Sequence, residues 1–349
     1  VFAISLAGIS ASVGAQAPRS EPELRKDLVF AVREEKSLKL DVYRPRRQGR
    51  LPAVLIFHGG GWYMGGRASG EAPMFARRLA EAGYVAISAS YRLSQEAVWP
   101  AQLADVRRAA QYVRHHAAAL GVDADRLAAL GASAGGHLAA FLAVGDDAAD
   151  PTAEDPLLRH STRVRCAVSV CGPMDFAVRT GETKAGAATV VKLLTGRASA
   201  SPEAIAPLLG EPLRAASPAA FVDPHDPPVF LAYGDRDGLV HPAQTFAMAE
   251  ALKTAQVPHV VHLVPGGGHC DFLGRLNDPA AARKDPLWSA VLEFLVRNMT
   301  ERRDRGPASQ PTSRPASRPA APSPATPESR PASRPAAAPK SGPARSRDR

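Results

Sequence analysis

Ala129-Leu130-Gly131-Ala132-Ser133-Ala134-Gly135-Gly136-His137 carries the pattern G-x-S-x-G between an apolar run and a stretch with the spacing of an amphipathic helix. In that setting the pentapeptide forms a sharp strand-to-helix turn that presents the serine hydroxyl at the top of a sheet. The flanking glycines leave room where side chains would clash, and Ser133 is expected to accept strained backbone angles. A Gly/Ala-rich turn would explain the pentapeptide alone. Upstream, however, Phe57-His58-Gly59-Gly60-Gly61-Trp62 follows the apolar strand Ala53-Val54-Leu55-Ile56 directly, and such a glycine loop donates backbone N–H groups to a developing oxyanion. The two motifs in this order mark Ser133 as a candidate nucleophile.

From Asp27 to Val296 short aliphatic runs alternate with longer helical periodicities, which predicts an α/β architecture: a mostly parallel central sheet with helices on both faces. Leu28–Arg33 and Leu38–Tyr43 alternate apolar and polar residues and predict an exposed antiparallel entry to the sheet. Buried strands are expected near Ala53–Phe57, Val85–Ser88, Leu127–Leu130, Ala167–Val170, Val229–Tyr233 and Val260–Val264. One helix is predicted from Ala101 to Leu120, with Gly121 as its stop, and another near Trp288–Val296. Between two of the strands, Met174 to Pro224 shows no strand pattern. It reads as a small lid insertion of helical pieces (174–224) centred on Val190–Leu194, the alternative being a surface excursion.

Composition divides the 349 residues further. From Glu301 onward the chain is Pro, Ala, Ser and Arg, with Ser-Arg-Pro-Ala beginning at Ser313, Ser317, Ser329 and Ser333. Such a segment buries too little surface to offset its ordering entropy, so residues 301–349 are expected to form a disordered tail. The tail holds 11 Lys/Arg against 4 Asp/Glu, or +7 of the formal +9, which leaves +2 for residues 1–300. A near-neutral domain gives no nucleic-acid signature. The basic tail fits either a weak tether to an anionic surface or a passive spacer. At the other end, apolar Val1–Ile9 passes into Ala15-Gln16-Ala17, as in a signal peptide (1–17) lacking its basic start, so export is expected, with the α/β domain spanning 18–300. The apolar stretch is too short for a transmembrane span. Cys166, Cys171 and Cys270 form no metal-type spacing and indicate no disulfide framework.

A nucleophilic serine needs an imidazole to take its proton and a carboxylate to orient that imidazole. Gly266-Gly267-Gly268-His269 follows one predicted strand, and Gly234-Asp235-Arg236-Asp237-Gly238-Leu239-Val240 follows another. Loops at the carboxyl ends of parallel strands are where open sheets place their sites. His269 is therefore the expected base, and physical reading leaves Asp235 and Asp237 equally open as its carboxylate. His58, His115, His116 and His137 read as structural; His241, His259 and His262 flank strands or helices outside that loop setting. Arg92 and Asp105 read as a structural pair joining two halves of the sheet.

With these segments in one order, the chain resembles the α/β-hydrolase superfamily, and within it the acetyl xylan and feruloyl esterase-like group related to hormone-sensitive-lipase-like esterases. The resemblance runs from about Leu40 to Val296. It is carried by the glycine loop, Ala89-Ser90-Tyr91-Arg92-Leu93, Trp99-Pro100-Ala101-Gln102-Leu103-Ala104-Asp105, the serine motif through Ala139, Gly172-Pro173-Met174-Asp175 and Ala216-Ser217-Pro218. It implies the α/β-hydrolase fold and a serine carboxylic ester hydrolase working through an acyl-enzyme, with Gly-x-x-Asp-x-x-Val selecting Asp237. The triad is then Ser133, Asp237 and His269, and the oxyanion hole the N–H groups of Ala134 and of Gly60 or Gly61. No metal or cofactor is required. Tyr233, Gly238 and His241 depart from the group's usual residues beside the acid loop and leave substrate preference open. Short-acyl or aryl esters, including acetylated or feruloylated polysaccharide, are the expected substrates. A serine exopeptidase of the prolyl-oligopeptidase type, a long-chain lipase and a non-catalytic binding protein on the same fold are the alternatives. The mixed polarity of Arg179, Glu182, Lys184 and Arg197 in the insertion speaks against the lipase.

Overall fold

Consecutive residues of β3 (Leu51–Phe57) point to opposite sides of one sheet and feed two separate cores. Ala53, Leu55 and Phe57 pack with Leu103 and Phe141 on one face, whereas Val54 and Ile56 pack with Phe75 and Trp288 on the other. A strand covered on both faces must be apolar at every position, which is why the interior strands read as unbroken aliphatic runs. The computed structural model describes residues 21–178, 184–197, 199 and 201–300. The expected signal peptide (1–17), the tail (301–349) and Arg179 and Glu182 of the insertion lie outside the described residues.

Among the described residues the sheet has eight strands in the order β1-β2-β4-β3-β5-β6-β7-β8, adding β1 (Glu23–Arg33), β2 (Lys36–Arg44), β4 (Val85–Ala89), β5 (Val122–Ala132), β6 (Ala167–Val170), β7 (Val229–Gly234) and β8 (His259–Val264). β1 and β2 pair antiparallel, as does β2 with β4; from β4 to β8 every pairing is parallel. Val29 and Val32 of β1 are solvent-exposed, in keeping with an exposed entry. β8 corrects an expectation. The apolar run predicts a buried strand, yet Val260, Val261 and Leu263 are about 40% exposed, because β8 ends the sheet and its outer side faces solvent.

The helices are α1 (Ala72–Ala82), α2 (Ala101–His115), α3 (Ala117–Leu120), α4 (Ala134–Val144), α5 (Lys184–Thr195), α6 (Pro202–Ile205), α7 (Glu211–Ala215), α8 (Ala243–Thr254), α9 (Pro279–Ala282) and α10 (Pro286–Thr300). The single helix predicted over Ala101–Leu120 is instead two. His116 leaves helical angles (φ −97°, ψ 17°), but its N–H still reaches Tyr112 O at 3.0 Å and its carbonyl accepts from Leu120 N–H at 3.0 Å, so the break is a kink. Gly121, at φ 66°, ends the second piece. The stretch after Ser133 is likewise not amphipathic. Every residue of α4 is buried, because the helix sits against β3, β5 and β6 on one side and α2 on the other. The described part of 174–224 contains α5, α6, α7 and two 3₁₀ turns, and Val190–Leu194 lies inside α5.

The carboxylate of Asp105 is fully buried and meets Arg92 at 2.9 Å and Arg33 at 3.3 Å. Arg92 engages both of its oxygens, a bidentate geometry that fixes orientation as well as charge. The cluster ties α2 to β1 and to the segment after β4, one side of the molecule rather than the two halves of the sheet.

Candidate active site

Four strand ends converge at the carboxyl edge of the sheet. β3 delivers the glycine loop, β5 delivers Ser133, β7 the loop holding Asp235 and Asp237, and β8 the loop holding His269. Ser133 itself has φ 53° and ψ −122°, a conformation side chains rarely adopt, which swings its hydroxyl out of the strand. The neighbouring glycines allow α4 to start this close. A Cβ on Gly135 would lie 1.9 Å from Phe57 O, and one on Gly131 would lie 2.3 Å from the Gly135 carbonyl.

His269 Nε2 stands 2.8 Å from Ser133 Oγ, and its Nδ1 stands 2.8 Å from Asp237 Oδ2. A carboxylate only accepts, so the imidazole proton sits on Nδ1 and the Nε2 lone pair faces the serine hydroxyl. Asp237 is buried, and its other oxygen accepts the N–H groups of Leu239 (2.9 Å) and Val240 (2.8 Å). Asp235 is exposed and accepts instead from Gly266 N–H at 2.7 Å. Of the two acids that the residues alone left open, the structure joins only Asp237 to His269.

Ala134 opens α4, so its N–H belongs to the first helical turn, whose donors have no intrahelical partner. Gly60 and Gly61 adopt φ 107° and 59° and line the cavity that Ser133 faces. Their loop is braced from behind. His58 Nδ1–H donates to Gly59 O at 2.7 Å, Tyr91 O–H donates to His58 O at 2.8 Å, and the two rings stack at 4.2 Å. Gly59 N–H donates to Glu71 Oε1 at 2.6 Å. Burial pushes the His58 imidazole down to about 4, keeping it neutral in this brace. His137, in α4, is pushed to about 3 by burial; it sits 2.8 Å from Ala216 O and packs edge-on to Trp62.

The cavity in front of Ser133 has a volume of about 350 Å³. Trp62, Phe176, Thr189 and Val190 are among its lining residues, the last two contributed by α5. Lys192, also on α5, lies 4.1 Å over the Tyr63 ring, a cation–π contact that holds α5 to the glycine loop. Three further residues stand in the cavity wall. Glu71 precedes α1 and carries no motif. His241, which the histidine spacing alone places outside a loop and the resemblance places beside the acid loop, follows Asp237 by four positions in that loop. Cys270, whose spacing points to neither a metal site nor a disulfide, directly follows His269. Among the described residues no helix is long and apolar enough to cross a membrane.

A parallel sheet that gathers an elbow serine, an imidazole and a buried carboxylate at its carboxyl edge, with a glycine loop beside the serine, is the architecture of the α/β-hydrolase fold. The chain belongs to the BD-FAE family, which it matches over residues 40–252. It is 30% identical over 262 residues to esterase LipQ of Mycobacterium tuberculosis, covering 73% of this chain and 58% of that protein. The chain spans 54 to 61% of the length of LipQ and two further mycobacterial relatives. Among solved structures it is similar to an acetyl ester-xyloside bifunctional hydrolase from Caldicellulosiruptor lactoaceticus (26% identity, TM-score 0.64, 78% of this chain and 96% of that one). It is also similar to a thermophilic esterase from Thermogutta terrifontis (28% identity, TM-score 0.62, 80% and 96%).

Proposed function

We propose that the protein is a serine carboxylic ester hydrolase for short-acyl esters, acting through an acyl-enzyme. The observation that carries this reading is the continuous relay from Asp237 Oδ2 through His269 to Ser133 Oγ, with both steps at 2.8 Å, opening onto a small cavity. In this mechanism Ser133 Oγ attacks the ester carbonyl while His269 Nε2 takes its proton. The N–H groups of Ala134 and of Gly60 or Gly61 receive the oxyanion, and such donors are each worth about 3 kcal/mol of barrier. His269 then returns the proton to the departing alcohol, and water repeats the sequence on the acyl-enzyme. Asp237 keeps the imidazole in the productive tautomer and stabilises its charged form.

The cavity volume of about 350 Å³ and the apolar lining residues Trp62, Phe176 and Val190 favour acyl groups of a few carbons. The Thermogutta relative has been solved with propionate and with butyrate bound, and the Caldicellulosiruptor relative is described as an acetyl ester hydrolase, which supports an acetylated carbohydrate as the natural class of substrate. The test is a panel of acetyl, butyryl, octanoyl and feruloyl esters and acetylated xylan, with an aminoacyl anilide as the peptidase control, run on wild type and Ser133→Ala. Ester cleavage lost in the variant, together with paraoxon labelling of Ser133 seen by mass spectrometry, is the expected outcome. The Thermogutta relative is itself phosphorylated by paraoxon. Faster anilide than ester cleavage, or activity in Ser133→Ala within tenfold of wild type, overturns the reading.

The same proposal extends to location. The apolar start and Ala15-Gln16-Ala17 support export, and the regularly spaced arginines of the tail support weak attachment to an anionic surface such as an acidic polysaccharide. Deletion of Arg302–Arg349 is expected to abolish salt-sensitive retention on an anionic polysaccharide column and to leave soluble-ester turnover unchanged. Identical elution of the two forms at low salt makes the tail a spacer.

A further inference from the structure

Cys171 follows β6 directly, and Cys270 follows His269 on the neighbouring turn; both are free thiols and both have positive φ, 51° and 59°. Between them the fold gathers two sulfurs and an imidazole, for one ligand atom from each of Cys171, Cys270 and His269 lies within 4.8 Å of the other two. Cys270 faces the substrate cavity, so the cluster has an entry path from solvent, while Cys171 is buried beneath it. The carboxylate of Glu71 lies in the wall of the same cavity, and Asp237 holds the other side of His269. Two thiols, one imidazole and surrounding negative charge form the donor set of a soft or borderline divalent cation.

We propose that Cys171, Cys270 and His269 constitute an inhibitory site for a thiophilic divalent cation such as zinc or cadmium. Binding releases the Sγ protons of both cysteines to solvent as two metal–sulfur bonds form, and no electron transfer is involved. The third bond uses the Nε2 lone pair of His269, since Nδ1 keeps its proton for Asp237. That lone pair is the one that would accept the Ser133 proton, so the occupied enzyme has no base. The Cys270 thiol is held well above the ordinary thiol range by its hydrogen bond with Cys171, then by burial and the nearby Glu71 and Asp237 charges. The same negative surroundings that keep the thiol protonated attract the cation.

The activity readout rests on the proposed esterase function, so binding is measured separately. Cadmium titrated into Ser133→Ala is expected to give a thiolate-to-cadmium ultraviolet band saturating at one equivalent, weakened by roughly tenfold or more in affinity when either sulfur is removed as Cys171→Ser or Cys270→Ser. With wild type, zinc or cadmium is expected to inhibit ester hydrolysis, a chelator to restore it and magnesium to do nothing. The two cysteine variants, each normalised to its own metal-free rate, are expected to resist inhibition by a similar factor. A band or an inhibition that survives both substitutions overturns the proposal. Its loss in His115→Gln instead would place the cation on the exposed His115–His160 pair, whose ring nitrogens are 3.1 Å apart. Should Cys171→Ser fail to fold, half-buried Cys270→Ser decides alone. Should esterase activity be absent, the cadmium band still does.

Discussion

Asp237 divides its two oxygens between two tasks: Oδ2 meets His269 Nδ1 at 2.8 Å, while Oδ1 accepts the N–H groups of Leu239 and Val240. The backbone bonds lock the carboxylate in one rotamer, so its free oxygen is aimed at the imidazole before any substrate arrives. Asp235, two residues earlier, spends its carboxylate on Gly266 N–H at the surface.

The two acids should therefore respond differently to the same substitution. Asp237→Asn presents an amide that favours the wrong imidazole tautomer, and turnover is expected to fall about 10⁴-fold with the fold intact. Asp235→Asn keeps an oxygen for Gly266 N–H and should stay within about threefold of wild type, since surface changes rarely exceed ±0.5 kcal/mol. Steady-state kinetics on a soluble acetyl ester, with circular dichroism to check folding, separates the two; a reversed ranking would make Asp235 the orienting acid.

Acyl length is the second point of measurement. Thr189 and Val190 of α5 line the cavity together with Trp62, and its volume of about 350 Å³ suits a short chain. Acetyl and butyryl esters should be cleaved at least about tenfold more efficiently than octanoyl esters, a difference of roughly 1.4 kcal/mol in transition-state binding. Val190→Ala should narrow that ratio by admitting longer chains, read as kcat/KM across the series. A maximum at eight carbons in wild type would be the wrong sign.

Stability should fall on mild acidification for a reason seated beside the site. His58 and His137 are buried neutral, with pKa values lowered by burial to about 4 and about 3, against an unfolded value of about 6.5. Above pH 6.5 neither form binds a proton and the pair contributes no slope. Below it the unfolded chain takes up protons that the native state refuses, so stability is lost as pH falls from 6.5 towards 4. Each histidine contributes on the order of 1.4 kcal/mol per pH unit over that window. Denaturant unfolding between pH 7.5 and 4.5 measures it, and His137→Gln should remove one histidine's share of the slope. A wild-type stability that is level down to pH 4.5 would contradict the burial of both rings.

Packing at the elbow gives the last prediction. An added Cβ at Gly135 would sit 1.9 Å from Phe57 O, which is backbone and cannot swing aside. Gly135→Ala should destabilise by more than about 3 kcal/mol, at or beyond the upper end of ordinary overpacking, and lower activity through displacement of the glycine loop. Gly238→Ala, where nothing lies within 4 Å of the added carbon, is the matched control. Equal unfolding midpoints for the two variants would show that α4 does not press on β3.

Local pattern was enough for much of the architecture. Aliphatic runs of four or five residues mark the central strands because both faces are covered, and the glycine positions around Ser133 and after His58 mark where backbones must approach closely. Each of those signals is confined to a few neighbouring residues, which is why Ser133, His269 and the glycine loop were legible in the chain. The choice of Asp237 came from a family pattern rather than from the residues' own physics. What only the tertiary structure decided involves partners far apart in sequence or directions within a loop. Two carboxylates in one turn differ by which backbone N–H groups they meet, and spacing does not encode that. The complete burial of α4 and the exposure of β8 depend on which elements lie on either side of them, and hydrophobic periodicity reports only a residue's own face. The His137–Ala216 contact spans 79 positions, and Glu71, His241 and Cys270 enter the cavity wall because three separate loops end at the same edge of one sheet. Sequence fixes where a strand stops; packing decides what its loop then faces.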